Sequence, residues 1–181
     1  MSTNALDLRG QMFRSQRQMP DADARQFLSE QKIANIGTVD GNGWSYVVPL
    51  AFIYEGTDEL WFHTGWHEGH LFHNLKQCSK LCLEVSEIGN LTPVTNGYAC
   101  DSSLLYSSAI AFGRAEVIED KERKAWFFDR MVAKYSDASL QFKPGYPMLD
   151  RIILFRLTIE ILTGKINAGM SHQATDKASC R

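Results

Sequence analysis

Charge of a single sign is missing from this sequence of 181 residues: 19 Lys and Arg stand against 21 Asp and Glu, a formal net charge of -2 at pH 7. Without a global positive field, neither nucleic acid nor an anionic membrane is expected as a partner. Cysteine is also sparse. Cys78, Cys82, Cys100 and Cys180 form no Cys-x-x-Cys pair, and they read as reduced thiols of a cytoplasmic protein. No apolar run approaches the roughly 20 residues that a membrane helix needs. The opening "MSTNALDLRGQMFRSQ" lacks the apolar core of a signal peptide, so a cytoplasmic location is expected. What is present is a globular balance, 44% hydrophobic against 22% charged. A chain of this length buries a core without help from disulfides or metals.

Residues 1–19 are polar and without period, and 168–181 are small and polar. Both are expected to be flexible, an N-terminal arm and a C-terminal tail around one domain at 20–167. Asp21 is placed to cap a helix whose apolar positions are Ala24, Phe27 and Leu28. From Ile33 onward, "IANIGTV", "WSYVVPLAFIY" and "ELWFHT" read as strands joined by Gly-containing turns, an antiparallel meander. A helix is predicted over about 67–77, and the meander then resumes at "KLCLEVSE". "YSSAIAFGRAEVIE" continues it. Asp120 can cap a helix with Phe128, Met131, Val132 and Tyr135 on one face, a cover for an opening in the sheet. The last strand, "RIILFRLTIEI", alternates Ile153, Phe155, Leu157, Ile159 and Ile161 inward. Strands outnumber helices and no strand-helix-strand unit repeats, which predicts a mainly β fold, an antiparallel barrel with flanking helices.

Within "YVVPLAFIY", Tyr46, Val48, Leu50, Phe52 and Tyr54 fall on one face and Val47, Pro49, Ala51 and Ile53 on the other, and both faces are apolar. The second face must therefore meet a subunit, a covering helix or a flat ligand. Pro49 has no N–H to give, so pairing is expected to be interrupted there, leaving neighbouring backbone groups free for a ligand; an edge strand covered by other protein accounts for it equally well.

Four of the five histidines lie in "HTGWHEGHLFH": His63, His67, His70 and His73. His67, His70 and His73 would spread over about 120° of a helix surface, too wide for one ion, so no metal site is expected. The stretch does have the form of a strand end, a glycine loop and a helix start. There, free backbone N–H groups and the helix dipole favour a phosphate, with His63, Thr64 and His70 as further donors. A flat cofactor with a phosphate tail would satisfy both the Pro49 strand and this turn.

The segments "YVVPLAFIYE", "LWFHTGWHEGHLFHNL", "LCLEV", "YSSAIAFGRAEVIED" and "LTGK" resemble, in order and spacing, the pyridoxamine 5'-phosphate oxidase-like FMN-binding split barrels, and most closely their nitroimidazole-resistance branch. The resemblance spans about residues 12–167. It implies a Greek-key split barrel, and a homodimer with two FMN sites at the subunit interface, each built from both chains. Val48, Pro49 and Leu50 would run along the isoalloxazine edge. His63 and Thr64 match the strand end that meets the flavin and its tail, and Gly69 and His70 match the phosphate turn. Ser108, five residues before Gly113, stands where the oxidases carry a flavin-contacting glutamine, with Tyr106 on the same face of the strand.

The chain departs from the oxidases at Val47, Phe52, His70 and Leu71, where they carry basic residues. Pyridoxamine phosphate oxidation is accordingly disfavoured. A lysine is common at the place of Leu71 in the nitroimidazole branch, so Leu71→Lys is expected from sequence to tighten FMN binding. The implied activity is electron transfer from reduced flavin to a small aromatic or nitroaromatic compound, with NAD(P)H or a reductase as donor. Trp66, Tyr98 and Tyr106 are candidates to stack on a substrate or simply to pack, and no catalytic acid-base pair is identified. A flavin- or haem-binding module without turnover is the alternative, and other split barrels use haem or F420.

Overall fold

The computed structural model describes residues 7–93, 97–137 and 139–168. Six antiparallel strands close a barrel: β1 (Ile33–Val39), β2 (Ser45–Tyr54), β3 (Glu59–Gly65), β4 (Lys80–Thr92), β5 (Ser103–Ile118) and β6 (Ile152–Asn167). Around it, the order is β1-β2-β3-β6-β5-β4. The meander holds as two three-stranded units, β1-β2-β3 and β4-β5-β6, joined where β3 pairs with β6 and β4 pairs with β1. The helix between them, α2 (His70–Gln77), carries the chain from one side of β1 to the other. Its start lies three residues later than the spacing predicts. Among the described residues, no helix is long and apolar enough to cross a membrane.

The barrel is filled by Ile36, Phe52, Leu60, Phe62, Leu83, Phe155 and Leu157, all fully buried. The rings of Phe62 and Phe155 stack with centroids 5.1 Å apart. Alternation along β6 fails at Glu160. Phe112 pairs with Ile161 but Gly113 with Ile159, so Glu160 is the extra residue of a bulge. Beyond it the parity reverses. Leu162, rather than Ile161, packs against the core. Gly113 is needed at this bend, since a Cβ there would collide with the Thr158 carbonyl.

The strands do not pair along their full lengths. β2 meets β3 only over Phe52–Tyr54, and its earlier residues lie on β1 alone. The barrel is split here, and α2 fills the opening with Leu71 and Leu75. A second free edge arises on β6 beyond Thr158, which is opposite Glu59, the first residue of β3. The N-terminal segment lies along it: the Met19 N–H donates to Gly164 O at 2.8 Å, Gln18 bridges to Lys165, and Arg9 pairs with Glu160 at 3.0 Å. Residues 7–19 of the stretch read as an arm are thus seen in contact with the barrel, while 169–181 of the tail lie outside the described residues.

Two further helices flank the barrel. In α1 (Asp21–Glu30), Pro20 takes the N-cap position and Asp21 is the first helical residue, paired with Arg25 at 2.7 Å. In α3 (Lys121–Tyr135), Asp120 caps as expected, accepting the Arg123 N–H at 2.7 Å. Phe127, one residue from the expected Phe128, is the fully buried side chain of α3, against Ile53, Trp61 and Leu154. This helix covers the outer face of β2 at one end only. At the other end Val47 is 61% exposed, beside exposed Val39 and Trp44. A shallow cavity of about 720 Å³ spans this outer face, lined by Val39, Val47, Cys82 and Phe112 with Arg9 and Lys80 at its rim.

Candidate functional site

The split between β2 and the start of α2 encloses a small cavity of about 120 Å³, lined by Tyr46, Val48, Leu50, Thr64, His67, Gly69, His70, Leu71 and Phe72. Five residues singled out from the sequence meet here: Val48, Leu50, Thr64, Gly69 and His70. One wall is β2. Its side chains at 46, 48 and 50 face inward because successive residues of a strand alternate.

The backbone of β2 completes that wall. The Tyr135 hydroxyl accepts the Phe52 N–H at 3.0 Å, and its proton is shared between Phe52 O at 2.8 Å and Lys32 O at 2.7 Å. The Phe52 groups therefore point to the β1 side, and in an antiparallel ladder those of Leu50 and Val48 do the same. Pro49 is opposite Asn35 in an unbroken register, so pairing is not interrupted there as the sequence suggested. Its missing N–H falls on the unpaired edge, where no ladder bond is lost. The groups on that edge before β2 meets β3 belong to Val47, with the carbonyl of Pro49 beside them.

The opposite wall is the first turn of α2. Gly69 is its N-cap, and no side chain accepts from the turn. The N–H groups of the first turn have no partner within the helix and carry the positive end of its dipole, the arrangement that holds a phosphate. The His70 ring lies 4.1 Å from that of Tyr46, tilted by 34°. Leu71 does not reach outward as the position of a lysine would require; it is 4% exposed and belongs to the core.

His63 lies elsewhere. It leaves β3 on the face opposite Thr64 and meets the rings of Phe127 and Phe128 edge-on at 5.2 and 5.7 Å. Burial there lowers its pKa from the ordinary 6.5, and its Nδ1 is buried without a partner. Tyr106 and Ser108 occupy β5 and do not line the cavity. The histidines face separate aromatic rings, Phe127 for His63, Trp66 for His67, Tyr46 for His70 and Phe72 for His73. Among the described residues, no three His, Cys, Asp or Glu side chains gather where they would hold a metal.

Sequence reasoning missed Tyr46, His67 and Phe72 as lining residues. For Tyr46 the signal was available, since it shares strand parity with Val48 and Leu50. The place of Phe72 depends on the starting residue of α2, which spacing did not give.

The chain belongs to the pyridoxamine 5'-phosphate oxidase family, whose profile matches residues 20–166, and its barrel is the split barrel of that family. Among solved structures it is similar to a candidate 5-nitroimidazole antibiotic resistance protein from Bacteroides thetaiotaomicron, with 27% identity, a TM-score of 0.68, and coverage of 82% of this chain and 86% of the other. The flavocytochrome Anf3 from Azotobacter vinelandii shares the fold at 24% identity and a TM-score of 0.73, covering 85% of this chain and 71% of its own. A FAD and heme binding protein from Mycobacterium smegmatis does so at 21% and 0.70, covering 87% and 77%. No curated protein sequence matches significantly.

Proposed function

We propose that this protein is an FMN-binding homodimer that passes electrons from reduced flavin to a small aromatic or nitroaromatic acceptor. The observation that carries the reading is the cavity in the split of the barrel, with free β2 backbone groups on one wall and an uncapped helix N-terminus on the other. The edge offers both donors and acceptors to a flat heterocycle, and the helix turn offers N–H groups to a phosphate. His70 supplements them.

The cavity of about 120 Å³ is smaller than the roughly 300–1,000 Å³ of sites that enclose a cofactor-sized ligand. One chain thus accommodates the phosphate end and needs a second surface for the ring. The apolar outer face with Val39, Trp44 and Val47 fits a second copy of this chain, and Tyr106 and Ser108 would join the site from that copy. When bound, flavin supplies the redox chemistry; the protein orients it, excludes water and balances its phosphate charge.

Fluorescence titration of apo-protein tests the assignment. FMN should bind more tightly than riboflavin, and His70→Ala should weaken FMN about five- to thirtyfold, the equivalent of ~1–2 kcal/mol from one charge-assisted contact. Riboflavin should be unaffected. Equal effects on both ligands would sink the phosphate assignment. With NAD(P)H or a reductase as donor, repeated reoxidation by a nitroimidazole supports an enzyme. A single equivalent indicates a binding module.

A further inference from the structure

A second polar cluster lies where the N-terminal segment crosses β5 and β6. A 3-10 turn at Ser15–Arg17 precedes Gln18, which bridges to Lys165, and Met19, which is bonded to Gly164. These backbone contacts hold Arg17 beside Lys165. On β5, Ser108 is opposite Lys165 and Tyr106 opposite Asn167. The Arg17 Nη1 lies 3.5 Å from the Tyr106 hydroxyl, and the Lys165 Nζ lies 5.6 Å from the centre of the Tyr106 ring. Two cations thus converge on one phenol.

Neither cation is neutralised. Among the described residues no carboxylate comes within ion-pair distance of Arg17 or Lys165. The Arg17 Nε is buried with no acceptor. Its contact to Tyr106 is at the long limit of a hydrogen bond and leaves most of the guanidinium fork unused. Burial pushes the Tyr106 phenol up, but the hydrogen bonds and charges of Arg17 and Lys165 outweigh it and bring the group below its ordinary 10. Tyr106 also lines a cavity of about 250 Å³ with Gly89, Leu105, Ser107 and Asn167, a cavity that neither Arg17 nor Lys165 lines. Its one carboxylate, Glu87, is engaged by Gln31 at 2.8 Å. Like charges held together by the backbone, with an orphan donor among them, constitute half of an ion pair.

We propose that Arg17, Lys165 and Tyr106 form a binding site for a small oxyanion, a phosphate or carboxylate, at the junction of the N-terminal segment with β5 and β6. Arginine presents a planar fork that matches either group, lysine adds a point charge, and the phenol donates a hydrogen bond. The site shares Tyr106 with the flavin reading, which brings that side chain in from the second copy, but Arg17 and Lys165 have no part in that reading and do not line the cavity at α2.

Inorganic phosphate is the probe, titrated into the full chain at constant ionic strength while the Arg17 Nε–H signal is followed by NMR. A saturable shift is expected, and Arg17→Gln and Lys165→Gln should each weaken binding about tenfold or more, read at the Tyr106 ring. Acetate in a parallel titration separates phosphate from carboxylate preference. FMN and riboflavin added to apo-protein separate the sources: a shift with FMN that riboflavin lacks assigns the oxyanion to the flavin's own phosphate, and equal responses assign it to a separate ligand. No saturable shift with either anion, or a response that both substitutions leave intact, would overturn the proposal.

Discussion

His70 and Leu71 are neighbours with opposite environments. His70 is exposed at the first position of α2, while Leu71 is buried among the barrel side chains. A helix turns about 100° per residue, so Leu71 meets the cavity from the core side while His70 stands at the surface. Leu71→Lys, which the resemblance suggested as a gain in FMN affinity, is now expected to cost at least ~2 kcal/mol of stability by placing an ammonium among apolar groups. Urea unfolding and FMN titration of the variant check both points, and an unchanged midpoint with tighter FMN binding would restore the earlier expectation. His63 makes a second prediction. Its pKa is lowered on folding, so between the lowered value and about 6.5 the unfolded chain binds more protons than the folded one. Stability should fall as pH drops through that window and level off below it. Thermal unfolding from pH 7.5 to 5 should show this loss, and His63→Phe should reduce it.

At the scale of elements, α3 does two things that its sequence only half announces. Its cap at Asp120 and its amphipathic face were legible, because capping and periodicity are local properties. The use of its last residue was not. The Tyr135 hydroxyl fills the gap where β1 begins, serving Lys32 O and both backbone groups of Phe52. Tyr135→Phe keeps the ring and removes those contacts; Phe52 O keeps Lys134 Nζ at 3.3 Å, but the Phe52 N–H loses its partner, at a cost of roughly 1–3 kcal/mol. Denaturant unfolding should show that loss, and hydrogen exchange at the Phe52 amide should accelerate. A variant as stable as the parent would mean that water replaces the hydroxyl.

For the whole molecule, the proposed dimer would use the outer face of β1, β2, β4 and β5. Val47, Val39 and Trp44 are exposed in a single chain, an apolar face that suits the proposed interface. Val47→Asp should leave the protomer folded, since the position is open, and shift sedimentation at micromolar concentration from dimer to monomer. Flavin affinity should fall with it, because the ring would lose its second surface. A flavin-bound monomer would contradict the two-chain site.

The strands, the Asp120 cap and the apolar faces of "YVVPLAFIY" follow from local chemistry, so the 181 residues alone carried them. The strand end, glycines and helix start around Gly69 were legible for the same reason, since they lie within one short stretch. The barrel order, the split between β2 and β3 and the bulge at Glu160 depend on which edges meet, and strand periodicity is identical for every pairing. Pro49 shows the difference clearly. Its missing N–H was certain from the sequence, whereas its direction, toward the open edge and away from β1, was settled only when the tertiary register placed Asn35 opposite it. Which histidine meets the cavity was decided in the same way, because one residue along a strand reverses the face, turning Thr64 inward and sending His63 to α3.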